Sequence, residues 1–407
     1  MKQITELLKE RKQRGYEIAK QGKIVQKNGV WLVPSATNPR RVYGVRLTLE
    51  GGVCNCEDYA KRQIRCKHLF SVQFTTEKIL NQDGTTTITT TKRVTIPQDW
   101  KAYDLATTQQ KELYLKLLND LCNTIDEPAY VFGRPKMPLR DMVFSSALKV
   151  FTTFSLRRFT TDIKEAQAKG YVQKTPDYST VAKYMEDAEL TPILKGLITA
   201  SSLPLKAVER NFSIDSSGFA TSRFGRWYDH KYGKEMDKRV WYKAHLVNGN
   251  STHIITAVEI TDAYEADSNM LEQLVSETSK NFDIKEFSAD KAYSSRDNLA
   301  TINKLGAVPY IPFKAGTTGK PKGNDHIWRK MFNYFVYNQA EFLEHYHKRS
   351  NVETVFHMIK SKFGSQIRSK NPTACINEVL LKALCHNICC LIQESFELGI
   401  DAKFLGC

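Results

Sequence analysis

Residues 208–219 read VERNFSIDSSGF, an apolar-alternating run that ends on a carboxylate, Asp215, and continues into two serines and a glycine. The same pattern returns at residues 287–295, FSADKAYSS, with Asp290 at the end of the run. Between them lie two further strand-like runs, VWYKAHLV at 240–247 and the β-branched HIITAVEIT at 253–261. An amphipathic helical pattern at 267–282 follows, and then a short strand at 284–290. Beyond it, residues 294–305 read as a helix closed by Gly306, and AVPYIPF at 307–313 as a strand whose Pro309 and Pro312 place it at a sheet edge. Strands first in a run and then alternating with helices predict an α/β domain with a mixed sheet over residues 206–395, α+β for the chain overall. A carboxylate just past an apolar strand is aimed from a rigid sheet into a cleft, where the sites of open α/β folds gather. Taken singly, each aspartate is more ordinarily a turn or helix-capping residue.

A third element changes that balance. Residues 346–364 read YHKRSNVETVFHMIKSKFG, and Tyr346, Arg349, Glu353 and Lys360 follow one another at steps of three, four and seven. If the whole segment is helical, all four share one face, while Val352, Val355, Ile359 and Phe363 form an apolar face that docks on the sheet. The alternative is a capping box, Ser350 with Glu353, which starts the helix at Asn351 and breaks the alignment of Tyr346 and Arg349.

With these residues in view, the chain resembles the insertion-sequence transposases of the DDE class, in the group marked by a Tyr-Arg-Glu-Lys signature. Tyr346, Arg349, Glu353 and Lys360 match its spacing, Asp215 in DSSGF fits the first-aspartate motif, and Asp290 in ADKAY fits the second. Upstream, FGRPKMPLRDMVFSS at 132–146 is similar to the helical segment that precedes the catalytic domain in these enzymes. The short interval between Asp290 and Glu353 leaves little room for the large β-rich insertion some relatives carry there.

The resemblance implies a ribonuclease-H-like catalytic domain, with Asp215, Asp290 and Glu353 as catalytic residues and ligands of Mg²⁺ or Mn²⁺. Hard divalent cations prefer oxygen ligands, and a pair of them can activate the attacking oxygen and stabilise the leaving one. Such cations also let three neighbouring carboxylates stay ionised. By the same resemblance, water cuts at the transposon end and the freed 3′-hydroxyl attacks target DNA. Arg349 and Lys360 then hold phosphates, Tyr346 positions the strand, and a dimer or larger assembly handles two ends. Two other readings stand beside this one: a nuclease of the same fold that cuts without joining, and an inactive DNA-binding regulator derived from a transposon. Trp328 is read as a core residue in preference to a base-flipping wedge.

Cys54, Cys56, Cys66 and His68 make C-x-C and C-x-H pairs within fifteen residues, the spacing of a closed tetrahedral zinc site. The surrounding sequence, residues 10–75, resembles the SWIM zinc finger, a small β-β-α module. That likeness implies binding to DNA or to a protein partner. Lys61, Arg62, Arg65 and Lys67 are either phosphate contacts or a solvated charged face.

Composition sets the frame. Of 407 residues, 59 are Lys or Arg against 44 Asp or Glu, a formal charge of +15, which fits a polyanionic partner without proving one. Hydrophobic residues at 41% and charged residues at 25% are those of a folded globular chain. The amino terminus lacks the apolar core of a signal peptide, and the most apolar stretch, 380–392, contains Lys382, His386 and Asn387. Neither membrane insertion nor a small-molecule substrate is expected, and the remaining cysteines, 122, 375, 385, 389, 390 and 407, read as reduced, mostly buried thiols of a cytoplasmic protein.

Along the chain, residues 1–26 read as a charged helix and 30–74 as short strands with a turn at Gly51 and Gly52. The Thr-rich residues 83–97 are a hairpin, turning at Asp83 and Gly84, or a linker. Residues 100–205 are helical, punctuated by Pro176 and Pro192. The expected units are 1–95 with the finger at 30–75, a helical domain for DNA binding or assembly at 96–205, the catalytic domain at 206–395, and a tail at 396–407.

Overall fold

The computed structural model describes residues 2–404 except 22, 28–29, 36–37, 39–40, 47–51, 63–64, 81–85, 91–98, 130–131, 134, 222–239, 315 and 321–325. Gly51, Asp83, Gly84 and Cys407 therefore lie outside the described residues. The chain divides into two units, Met1–Pro97 and Gln98–Cys407.

In the first unit, alternating apolar residues build an antiparallel sheet in the order β1-β2-β3-β4: β1 (Val25–Lys27), β2 (Val30–Pro34), β3 (Val42–Arg46) and β4 (Val53–Cys54). Trp31, Val33 and Val45 turn one face of it into a small core with Ile18, Leu69 and Val72. Ile18 belongs to α1 (Lys2–Lys20), which crosses α3 (Lys67–Thr75) at Gly15. A Cβ at Gly15 would stand 2.6 Å from Phe70 Cβ and 2.8 Å from the Lys67 carbonyl oxygen, so glycine is what allows the backbones to approach this closely.

The strands expected through residue 74 stop at Cys54. The segment beyond is helical, as α2 (Glu57–Arg62) and α3. Its apolar residues do not alternate, and α2 carries Glu57 and Asp58 in its first turn and Lys61 and Arg62 in its last, which suits the helix dipole. Of the two readings of the Thr-rich stretch, strand pairing holds: β5 (Thr76–Leu80) and β6 (Thr86–Thr90) run antiparallel, Thr76 opposite Thr90. Runs of β-branched residues favour this extended backbone.

In the second unit a five-stranded mixed sheet has the order β11-β10-β7-β8-β9. Strands β7 (Asn211–Ala220), β8 (Trp241–Gly249) and β9 (Ile255–Asp262) form an antiparallel meander, and β10 (Glu286–Ala289) and β11 (Val308–Tyr310) add parallel to β7. Strand β11 lies at the edge, where its prolines need no ladder partner. Residues alternate between faces, so Phe212, Ile214 and Val247 meet one core and Phe219, Ala244 and Leu246 the other.

The first of these cores is built with α10 (Asp267–Ser279), α11 (Arg296–Lys304), α12 (His326–Tyr337) and α13 (Gln339–Tyr346). Gly306 follows α11 at φ +81°, as a helix-closing glycine should. Trp328 is buried here, its Nε1–H donating to the Thr318 carbonyl at 3.0 Å, and is a core residue as expected.

The second core joins the sheet to α5 (Gln110–Cys122), α6 (Leu139–Thr152), α7 (Leu156–Ala168), α8 (Tyr178–Met185), α9 (Leu190–Ser202), α14 (Ser350–Phe363) and α15 (Pro372–Glu397). Helix α4 (Trp100–Thr108) contributes Ala106. Residues 100–205, expected as a domain apart, thus share a core with the sheet. Pro192 sits in the first turn of α9, where its missing N–H costs nothing, and does not separate two helices. The tail returns to the same core through Ala402 and Phe404.

Helix α15 is the one helix among the described residues long and apolar enough to cross a membrane, and 94% of that apolar window is buried inside the protein. Its polar residues serve the interior. Asn387 Nδ2 donates to the Ile255 carbonyl at 2.7 Å and to Ser201 Oγ at 3.0 Å, and its Oδ1 accepts from the Ile255 N–H at 2.8 Å. Asn387→Leu should leave both backbone groups of Ile255 without partners and lower stability by about 2–4 kcal/mol, read from urea unfolding. A loss under about 0.5 kcal/mol, the scale of a neutral surface change, would contradict this role.

Candidate functional site

The register of the central strands brings the two aspartates together. Ala289 pairs with Ile214, so Asp290, the residue after β10 ends, comes alongside Asp215 on β7. Alternation puts Asp215, Ser217 and Phe219 on the face that receives α14. That helix docks through Val352, Val355, Ile359 and Phe363, all buried as its spacing predicts.

No capping box forms. Ser350 Oγ donates to the His347 carbonyl at 2.9 Å, α14 has no side-chain cap, and a 3₁₀ turn at His347–Arg349 connects α13 to α14 with little break. The helical alternative is therefore the one realised, with a tightened turn between Tyr346 and Glu353.

Three carboxylates converge on one guanidinium. Arg349 Nη2 lies 2.7 Å from Asp215 Oδ2 and 3.6 Å from Asp290 Oδ2, while Nη1 lies 2.8 Å from Glu353 Oε1. Exposure rises across the three side chains, from 18% at Asp215 through 37% at Asp290 to 61% at Glu353, so the cluster opens to solvent on its helix side. Burial pushes the Asp215 carboxyl above its ordinary pKa, against the pull of Arg349 and of the Ser216 N–H at 2.9 Å.

Lys360 Nζ donates to Ser217 Oγ at 2.7 Å and stands 5.0 Å over the Phe219 ring, and burial lowers its pKa. Tyr346 is half-buried and feels the same cluster. Burial first, and then Asp290, Asp215 and Glu353, raise its phenol, while Arg349 opposes them. All six residues singled out from the sequence are thus brought to one place.

Supporting residues went unread. Glu286 accepts from Lys348 Nζ at 2.6 Å and faces His345 Nδ1 at 3.0 Å, and His345 stacks on Tyr310 with centroids 4.5 Å apart. These contacts tie the turn that carries Arg349 to the edge of the sheet. On the opposite face of β7, Ser216 Oγ and Lys243 Nζ meet Asp267 at 2.7 and 2.6 Å. Tyr293 is fully buried near the aspartates. Ser216 and Tyr293 lie inside the motifs DSSGF and ADKAY, but nothing local marks Glu286 or Asp267, whose partners come from distant segments.

Residues 206–388 match the family model of the transposase DDE domain. The chain carries a transposase DDE domain. No solved structure matches it. The strand order, with an antiparallel meander extended by parallel strands on one side, is that of a ribonuclease-H-like fold. Transposases of this family bind DNA and use divalent metal. An all-oxygen donor set gathered around one cationic group fits such ions, with the guanidinium marking where positive charge is accommodated.

The chain also has a second, sulfur-rich centre, in its first unit. Cys54, Cys56, Cys66 and His68 are all buried, with one ligand atom from each lying within 4.8 Å of the others, the only set this tight among the described residues. Cys54 is on β4, Cys56 precedes α2, and Cys66 and His68 flank the start of α3. His68 Nδ1 is 3.8 Å from Cys54 Sγ and 4.0 Å from Cys66 Sγ, and its ring stacks on Tyr43 at 4.4 Å. Hydrogen bonding from Cys54 pulls Cys66 down to about 4, and the same contact, with burial, pushes Cys54 up. The thiols therefore compete for one negative charge, a conflict that a zinc ion resolves by letting each ionise. The donor set and its enclosure fit a structural zinc. Lys61, Arg62 and Arg65 are exposed around this centre.

Proposed function

We propose that this chain is the transposase of an insertion sequence, cutting DNA at the element's ends and joining the freed 3′-hydroxyl to target DNA. The convergence of Asp215, Asp290 and Glu353 from two adjacent strands and one helix carries this reading. Two Mg²⁺ or Mn²⁺ ions held by these carboxylates would activate the attacking oxygen and stabilise the leaving one.

In the first step water attacks a phosphodiester and the 3′-oxygen leaves with a proton. In the second, that 3′-hydroxyl attacks a target phosphodiester, and one bond replaces another without an external energy source. Lys360 and Arg349 present positive charge to the strand, Lys360 from a half-buried position that favours a phosphate over water. Tyr346, beside the carboxylates, helps position the strand. The zinc module is a separate recognition element for DNA or for a protein partner, and two chains act on two ends.

The deciding assay combines duplexes from the DNA flanking the gene with a supercoiled plasmid and Mg²⁺. Joined products are expected with Mg²⁺ or Mn²⁺ and not with Ca²⁺, whose looser geometry suits binding over chemistry. Nicking without joined product would reduce the chain to a nuclease, and end binding without either would make it a regulator. End binding should also fall steeply between 50 and 200 mM salt, by about 10³-fold for six or more phosphate contacts. A salt-independent affinity measured by fluorescence anisotropy would argue for a protein partner.

A further inference from the structure

We propose that Arg349 is a resident counter-cation of the carboxylate cluster, one that competes with divalent metal and is drawn off by a DNA phosphate, so that metal loading and DNA binding are coupled. This rests on the metal site proposed above and adds a control on when that site can fill.

The geometry is the ground for it. One guanidinium bonds Asp215 through Nη2 and Glu353 through Nη1, with Asp290 3.6 Å from Nη2. These contacts use the very oxygens a metal would need, since Asp215 Oδ2 cannot bond Nη2 at 2.7 Å and also coordinate a cation from the same side. A place-holding charge is required chemically. Three carboxylates gathered around one point repel one another, and a cation among them offsets that repulsion.

The arginine is poised to leave. Its Nε is buried and makes no hydrogen bond among the described residues, so part of its fork is unused. Arginine matches a phosphate as well as it matches a carboxylate, by the same paired N–H donors. A phosphodiester arriving on the open, Glu353 side of the cluster offers the guanidinium an alternative partner, and the released carboxylates then accept metal. Linkage makes the effect reciprocal: DNA must tighten metal binding by the factor by which metal tightens DNA binding.

Calorimetric titration of Mn²⁺ into the full, zinc-loaded chain tests this without reference to activity. Free of DNA, Arg349→Ala should bind Mn²⁺ about tenfold more tightly than the native chain, within the range of ordinary coupling between sites. Arg349→Lys, which keeps a charge but loses the fork, should fall between them. With an oligonucleotide duplex present, native affinity should rise toward that of Arg349→Ala. The melting temperature gives a second readout, Arg349→Ala melting lower than the native chain without added Mn²⁺ and gaining more when Mn²⁺ is added.

Equal or weaker Mn²⁺ binding by Arg349→Ala, in a chain whose binding is still lost with Asp215→Asn, would overturn the counter-cation role while leaving the metal site in place. Mn²⁺ binding indifferent to Asp215→Asn would overturn the metal site, and this inference with it.

Discussion

Asp215→Asn, Asp290→Asn and Glu353→Gln should each lower DNA cleavage and joining by at least about a thousandfold, because on the proposed mechanism each would remove a charged metal ligand worth several kcal/mol in the transition state. The amides keep the size and much of the hydrogen bonding of the acids, so the fold should stand. Indeed, with three carboxylates around one guanidinium, loss of a negative charge at exposed Glu353 or Asp290 also relieves repulsion. Melting temperatures within a few degrees of the native chain are therefore expected, with Asp215→Asn the most affected, since its carboxylate is the most buried and the closest to Arg349. End binding, which rests on phosphate contacts, should persist in all three. Any one of them retaining a tenth of native cleavage would remove that residue from the catalytic set.

The second large effect concerns the sulfur centre. Cys66→Ser should release zinc and unfold the first unit while the second keeps its own cooperative transition. The buried apolar set of the first unit is small, chiefly Ile18, Trp31, Val33, Val45, Leu69 and Val72 around the ligands themselves. Structural zinc in modules of this size contributes about 10–16 kcal/mol of apparent folding free energy, more than such a core can replace. Cys66 is fully buried immediately before the helix that carries His68, so its loss should disturb two corners of the cluster at once. Elemental analysis should find one zinc in the native chain and less than a tenth of an equivalent in the variant. Proteolysis should then cut within residues 1–97 and spare 98–407. A zinc-free native chain that resists proteolysis would defeat the assignment. If the module selects DNA ends, the variant should still nick DNA with metal present but lose preference for its own ends.

Local chemistry was enough to mark much of this protein. Asp290 stands out because a carboxylate ending an apolar strand is conspicuous, and it does follow the end of β10. Asp215, expected at a strand end, lies instead inside β7, which runs on through Ser216, Ser217 and Gly218 to Ala220 because pairing with β8 continues that far. Glu353 and Lys360 stand out because helical spacing separates a polar face from the apolar one that docks. The Cys54, Cys56, Cys66 and His68 cluster is legible from spacing alone, since two close pairs can fill the corners of a tetrahedron wherever the rest of the chain goes. What needed the fold is everything that depends on segments meeting. The sharing of one core by residues 100–205 and the sheet follows from α15, whose faces touch both, and no local pattern reveals two partners for one helix. The 3₁₀ turn at 347–349 prevailed over a capping box because Glu286, some sixty residues earlier, holds Lys348 and His345 in place. The position of Arg349 among the carboxylates was likewise beyond reach of its spacing, and the family resemblance implied only a residue for phosphates. Only when the strand register sets Asp290 beside Asp215, and α14 brings Glu353 over them, does a negative cluster exist for an arginine to neutralise. Charge at a point in space is a sum over residues far apart in the chain, and tertiary structure is where that sum is made.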